Sequence, residues 1–203
     1  NRITFLLEQT VITVNYVNAE VASGSQLIFM RFQDPAPGIW RIRVYSSLFI
    51  TGQFHIWLPV HGFISDSTFF LRPDPDTTVT DPANTPSVIT AGAYDHESGG
   101  IYIHSSRGFS RTGVIKPELA APGVSVYGPG LAKASSQFSD EDLSLPMTRK
   151  TGTSIAAAHT AGAVADLLSW AGKNNMLAAF SPASVKSILI RGAARNPVYS
   201  YPS

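Results

Sequence analysis

From residue 2 to about residue 72 apolar side chains recur at every second position or in short β-branched and aromatic runs. These are Ile3, Phe5 and Leu7, then Val11 to Val17, Leu27 to Phe32, Trp40 to Tyr45, Phe54 to Leu58 and Phe69 to Leu71. Alternation at period two is the mark of a strand with one face turned inward. Turn-forming groups separate the runs, among them Ser23-Gly24-Ser25, Pro35-Ala36-Pro37-Gly38 and Thr51-Gly52. Short strands so spaced predict a β-sandwich or jelly roll, with Trp40 and Trp57 in its core. In Arg72-Pro-Asp-Pro-Asp76 each proline removes a backbone donor and restricts its predecessor, so the run reads as a connector. The predicted division is a sandwich over residues 1–75 and a second domain over 76–203.

The pattern then changes. Ser87 to Tyr94 and Ile101 to His104 read as short strands, and Glu118 to Ala121 as a short apolar run. After a Gly-Thr-Ser start, Ala, Val and Leu recur at helical spacing from about Thr153 to Trp170. Ser181-Pro182, a capping serine before a first-turn proline, opens a second helix that directs Val185, Ile188 and Leu189 inward. Strands followed by helices make this half α/β.

Composition changes the picture in few places. With 44% hydrophobic and 14% charged residues in a chain of 203, a folded core is expected. A net charge of +1 leaves no electrostatic footprint for nucleic acid. The chain has no cysteine, which excludes disulfides and a thiol nucleophile but leaves the compartment open. No apolar run reaches the roughly 18 residues of a membrane span. The five histidines are scattered and no metal-binding motif occurs, so neither metal nor cofactor is expected; Asp140-Glu141-Asp142 reads as a solvated loop. Because the chain opens at Asn1 inside a strand-like pattern, it is expected to be a fragment of a longer protein.

The strongest local signal is Thr151-Gly152-Thr153-Ser154-Ile155-Ala156-Ala157-Ala158-His159, a serine opening a helix among very small residues. Free N–H groups and the positive dipole end there can stabilise a developing oxyanion, and small neighbours admit a substrate backbone. A capping serine is the competing explanation. Gly152-Thr-Ser-Ile-Ala156 nearly matches an α/β-hydrolase elbow, but that fold needs acid and then histidine downstream. Only His159 follows, rotated about 140° from Ser154 on a helix. Lys150-Thr151-Gly152 matches one element of penicillin-binding enzymes, yet no lysine has serine three positions before it.

The remaining order, Asp, His and then Ser, is that of subtilisin-like serine proteases. Gly152-Thr-Ser-Ile-Ala-Ala-Ala-His159 resembles their Gly-Thr-Ser-x-Ala-Ala-Pro-His signature, with Ala158 in place of proline. Pro86-Ser-Val-Ile-Thr-Ala-Gly-Ala93 resembles the family strand ending in Val-Gly-Ala, Ser105-Ser-Arg-Gly-Phe-Ser110 its Phe-Ser-x-x-Gly region, and Lys116-Pro-Glu-Leu-Ala-Ala-Pro-Gly123 its Lys-Pro-Asp-x-x-Ala-Pro-Gly segment. The resemblance implies the carboxy-terminal part of a three-layer α/β subtilisin-like domain, with Ser154 as nucleophile and Gly152 and Thr153 beside substrate and oxyanion. It also implies a protein or peptide substrate. Residues 1 to about 72 stand where an inserted domain would, and resemble the jelly-roll insertion of clostridial Csp germination proteases, which clip a precursor of a cortex-degrading enzyme. By that resemblance the location is extracellular or a bacterial spore.

The family's Asp-Thr/Ser-Gly, His-Gly-Thr and Ala-Gly-Asn motifs do not occur in the chain. His61-Gly62 is followed by Phe63, His55 reads as a strand residue, His96 and His104 flank a loop, and Asn15 and Asn18 read as strand and turn residues. Acid and base are therefore expected upstream, in the missing amino-terminal part of the protease, and the fragment alone is expected to be inactive. Lacking part of its sheet, it should need that missing part, or form a homodimer, to cover apolar surface. The alternatives are a pseudoprotease with a signalling role, its triad incomplete, and a β-sandwich that binds glycan or protein.

Overall fold

A computed structural model describes residues 2–19, 21, 24–45, 54–59, 62–130 and 147–195. Contacts divide the chain into two units, residues 1–54 and 55–203.

The first unit holds three strands, β1 (Arg2–Leu6), β2 (Val11–Val17) and β3 (Leu27–Gln33), joined as an antiparallel meander in the order β1-β2-β3. Buried Thr10 ties the start of β2 to the chain leaving β3: its hydroxyl donates to the Asp34 carbonyl at 3.2 Å and accepts from the Ala36 N–H at 2.8 Å. The Trp40 indole then donates to the Ala36 carbonyl at 3.1 Å and meets Phe32 edge to face at 5.4 Å. These bonds fold residues 34–40 back without adding a strand. Trp40 is 41% exposed and, in the second unit, Trp57 is 48% exposed. The core positions expected for the two tryptophans are therefore not observed. Likewise residues 40–45, 54–58 and 69–71 form no ladder among the described residues. Aromatic and β-branched side chains favour extended backbone, but a strand also needs a hydrogen-bonding partner.

In the second unit β4 (Ala91–Tyr94) and β5 (Leu119–Pro122) pair in parallel, Ala93 opposite Ala121. Ile101 pairs with Tyr94 as an isolated bridge, so the strand expected over 101–104 shrinks to one residue before a turn. An antiparallel pair follows, β6 (Val126–Pro129) with β7 (Met147–Lys150). Helix α1 spans Thr153–Lys173 and helix α2 spans Pro182–Gly192. Ser181 caps α2 as expected: its Oγ accepts from the Ser184 N–H at 3.1 Å, while the Ser184 hydroxyl accepts from the Ser181 N–H at 2.8 Å. Val185 is buried as expected, but Ile188 is 40% exposed.

The core beneath α1 is made of methyl groups: Ala156 packs on Ala93 and Ala121, with Ala91 and Tyr102 beside them. Small residues let helix and strand backbones approach closely. An ionic knot fastens the other end of the strand pair. Lys116 is 1% exposed and its Nζ donates to the Val88 carbonyl at 2.8 Å, to Thr90 Oγ1 at 3.1 Å and to Glu118 Oε1 at 2.7 Å. Lys186 of α2 pairs with the same carboxylate oxygen, and the Thr90 N–H donates to Glu118 Oε2 at 2.8 Å. Burial opposes ionisation of Glu118, but hydrogen bonds from Lys116, Lys186 and the Thr90 N–H outweigh it and hold the carboxyl below its ordinary value. Among the described residues no helix is long and apolar enough to cross a membrane.

Candidate active site

Ser154 is the second residue of α1. Gly152, not serine, occupies the N-cap position, and no side chain caps the helix. The capping role that competes for Ser154 is therefore not the one it plays. Ala156, in the same first turn, rests on Ala93 and Ala121, which lie near the carboxyl ends of β4 and β5. Ser154 is thereby set at the carboxyl edge of a parallel strand pair, where α/β folds place their ligand sites.

Local electrostatics suit an anion. The first N–H groups of a helix lack intrahelical acceptors, and α1 has no acidic residue in its first turn to offset its positive end. The Ile155 N–H is taken by the Gly152 carbonyl at 3.1 Å. The side of Gly152 that would bear a side chain is open, since a Cβ built there would meet only the Ser154 nitrogen, at 3.9 Å. Gly152, Thr153 and Ser154 together form the corner at which the chain enters α1.

The chain before the serine is held from the side. The Gly152 N–H donates to the Gly123 carbonyl at 2.8 Å, and the Gly123 N–H donates to the Tyr94 carbonyl at 3.0 Å. The Ser125 N–H donates to Thr151 Oγ1 at 2.9 Å, and Arg149 Nη1 donates to Ser125 Oγ at 3.2 Å. Gly123, Ser125 and Arg149 were not singled out as site residues by sequence reasoning. The available signal was the Ala-Pro-Gly ending at Gly123.

Among the described residues no histidine hydrogen-bonds to Ser154. His159 Nδ1 lies 3.1 Å from the Ile155 carbonyl oxygen and donates to it in the Nδ1–H tautomer. His104 meets Tyr102 edge to face at 5.3 Å, His55 stacks on Trp57 at 5.4 Å, and His96 is exposed in the turn after β4. His61 and Asp140-Glu141-Asp142 lie outside the described residues. Asn15 is in β2, and Asn18 Oδ1 accepts from the Tyr16 hydroxyl at 3.0 Å and from Gln26 Nε2 at 3.3 Å. A hollow of about 260 Å³ between β4 and α1 is lined by Ile89, Ala91, Ala157, Thr160, Ala161 and Val164. It holds no ionisable group and does not include Ser154. No group of three or more metal-ligating side chains occurs among the described residues.

Comparison with known proteins places this corner in a lineage. No curated protein sequence matches the chain. The solved structure of the Clostridium perfringens CspB protease is similar over 100% of this chain at 23% sequence identity and a TM-score of 0.73. The chain spans only 41% of that protein's length. At such identity the likeness is one of fold. The family model of the Subtilase family, peptidase S8, matches residues 71–201, which include both helices, the parallel strand pair and the Gly-Thr-Ser corner. With well over half of its residues so matched, this chain belongs to the Subtilase family.

Proposed function

We propose that this chain carries the nucleophile of a serine endopeptidase whose catalytic Asp and His are supplied by parts of the same protein outside these residues. The observation that carries the reading is the place of Ser154: second in a long helix of small residues, unused as a cap, at the carboxyl edge of a parallel pair. In this reading Ser154 Oγ attacks the scissile carbonyl as the His takes its proton. The carbonyl oxygen, now negative, is received by the Ser154 N–H in the field of the helix. The His returns the proton to the leaving amine, and water then hydrolyses the acyl-serine by the same route. The Asp holds the imidazole tautomer throughout. Gly152 and Thr153 form the adjoining wall.

The first part of the chain is read as an inserted β-sandwich or jelly-roll domain of the Csp type, residues 1–75. Two observations support this: the family match begins only at residue 71, while the likeness to the CspB protease extends over the whole chain. By the same reading the substrate is a protein precursor in an extracellular or spore setting. The exposed alanines of α1 and the hollow beside them are covered by the rest of the protease.

The test is a fluorophosphonate probe applied to the full-length protein and read by mass spectrometry. Labelling confined to Ser154 and lost in Ser154→Ala is expected, as is absence of labelling in the isolated 203-residue chain. A folded, correctly processed full-length protein that takes up no label overturns the catalytic reading and leaves a pseudoprotease.

A further inference from the structure

We infer that the turn from Gly123 to Ser125 is a clamp that positions Ser154, with Gly123 and Thr151 as its positioning residues. This rests on the nucleophilic role proposed for Ser154.

A nucleophile acts only within a narrow range of position, and a misplacement of about 1 Å can cost on the order of a hundredfold in rate. Gly152, two residues before Ser154, has an extended backbone conformation (φ 155°, ψ 160°) outside the helix that begins at Thr153. The clamp supplies two bonds of opposite direction, from the Gly152 N–H to the Gly123 carbonyl and from the Ser125 N–H to the Thr151 hydroxyl. They extend the β6–β7 pairing, which ends at Val126 opposite Lys150, up to the start of α1. A side-chain oxygen thus takes over as acceptor at the point where the strand gives way to the helix.

Clearance at Gly123 is nil. A Cβ there would lie 2.6 Å from the Ala93 Cβ, 2.9 Å from the Gly152 carbonyl oxygen and 3.4 Å from the Ala156 Cβ. Ala93 cannot yield readily, being held by its parallel pairing and by its N–H bond to buried Ser105 Oγ at 3.0 Å. An added methyl would therefore displace Gly152, whose carbonyl accepts from Ile155 in the first turn of the nucleophile's helix.

The experiment uses the full-length protein with Gly123→Ala, Thr151→Val and Thr151→Ser. Three readouts are taken on each: the rate of fluorophosphonate labelling at Ser154, kcat and KM on a cleaved peptide, and amide hydrogen exchange over residues 123–126 and 151–155. Thr151→Val keeps shape and removes the acceptor, so it remains informative where Gly123→Ala lowers stability. Thr151→Val is expected to cut labelling and kcat by about tenfold, with KM within about twofold, unchanged melting and faster exchange at both segments. Thr151→Ser, which keeps the hydroxyl, is expected to recover most of the loss. Folded Thr151→Val and Gly123→Ala proteins that label at the wild-type rate overturn the clamp. If the wild-type protein itself takes no label, the endopeptidase reading fails separately. The exchange data then decide the clamp, and wild-type protection of both segments in Thr151→Val sinks it.

Discussion

Gly152 illustrates how one residue can be indispensable for conformational reasons alone. Its φ of 155° and ψ of 160° belong to a region that only glycine enters without strain. Space is not the constraint, because an added Cβ would touch nothing closer than 3.9 Å. Gly152→Ala should therefore destabilise the full-length protein by about 1–3 kcal/mol through backbone strain, read as a lowered denaturant midpoint with unchanged slope. An unshifted midpoint would mean that the corner relaxes without cost. Gly152 was singled out in the sequence because it stands in the Gly-Thr-Ser run. The role of Thr151 as an acceptor was not legible, since its partner Ser125 lies 26 residues away and nothing in a linear pattern signals the pairing.

At the scale of elements, the helices were the most legible parts. Small apolar residues at helical spacing set α1, which runs three residues beyond the expected Trp170 to Lys173. Helix α2 announced itself through Ser181-Pro182. The reciprocal Ser181–Ser184 pair gives that start a measurable weight: Ser181→Ala should cost about 1 kcal/mol, checked by calorimetry against Ser187→Ala, an exposed serine within the same helix. Equal losses in the two variants would deny the cap its role. Strands were harder to read. β7 is Met-Thr-Arg-Lys, a run with no apolar alternation, and its pairing with β6 depends on a distant segment, so the pair that leads into α1 escaped prediction. Conversely, Trp40 to Tyr45 and Phe54 to Leu58 have strand composition without a described ladder, since composition specifies an extended backbone and not its neighbour.

For the molecule as a whole, the Lys116–Glu118–Lys186 knot links β5, the segment before β4 and helix α2 through one carboxylate. Lys116 is buried too deeply for water to replace Glu118, whose side chain is 7% exposed. Glu118→Gln should therefore cost about 3–5 kcal/mol, as expected when one member of a buried ion pair is removed. The pH dependence has a fixed sign. A carboxyl whose folded-state pKa is depressed contributes its full stabilisation above its unfolded value and loses it as pH falls through the folded one. Stability should thus decline below about pH 4.5, the ordinary glutamate value, and Glu118→Gln should flatten that part of the curve. A variant as acid-sensitive as the wild type would show that other groups govern the decline.

The contact of Ala93, Ala121 and Ala156 carries a consequence for how such a chain can diverge. Where three methyl groups meet across a parallel pair and a helix, one added carbon has nowhere to go, and overpacking costs about 1–3 kcal/mol. Removing a methyl leaves only a small gap. Substitution at these sites is therefore one-sided over evolutionary time: lineages can exchange alanine for glycine there, but enlargement demands a simultaneous change elsewhere. Descent should keep this patch small even where the surface around it is rewritten.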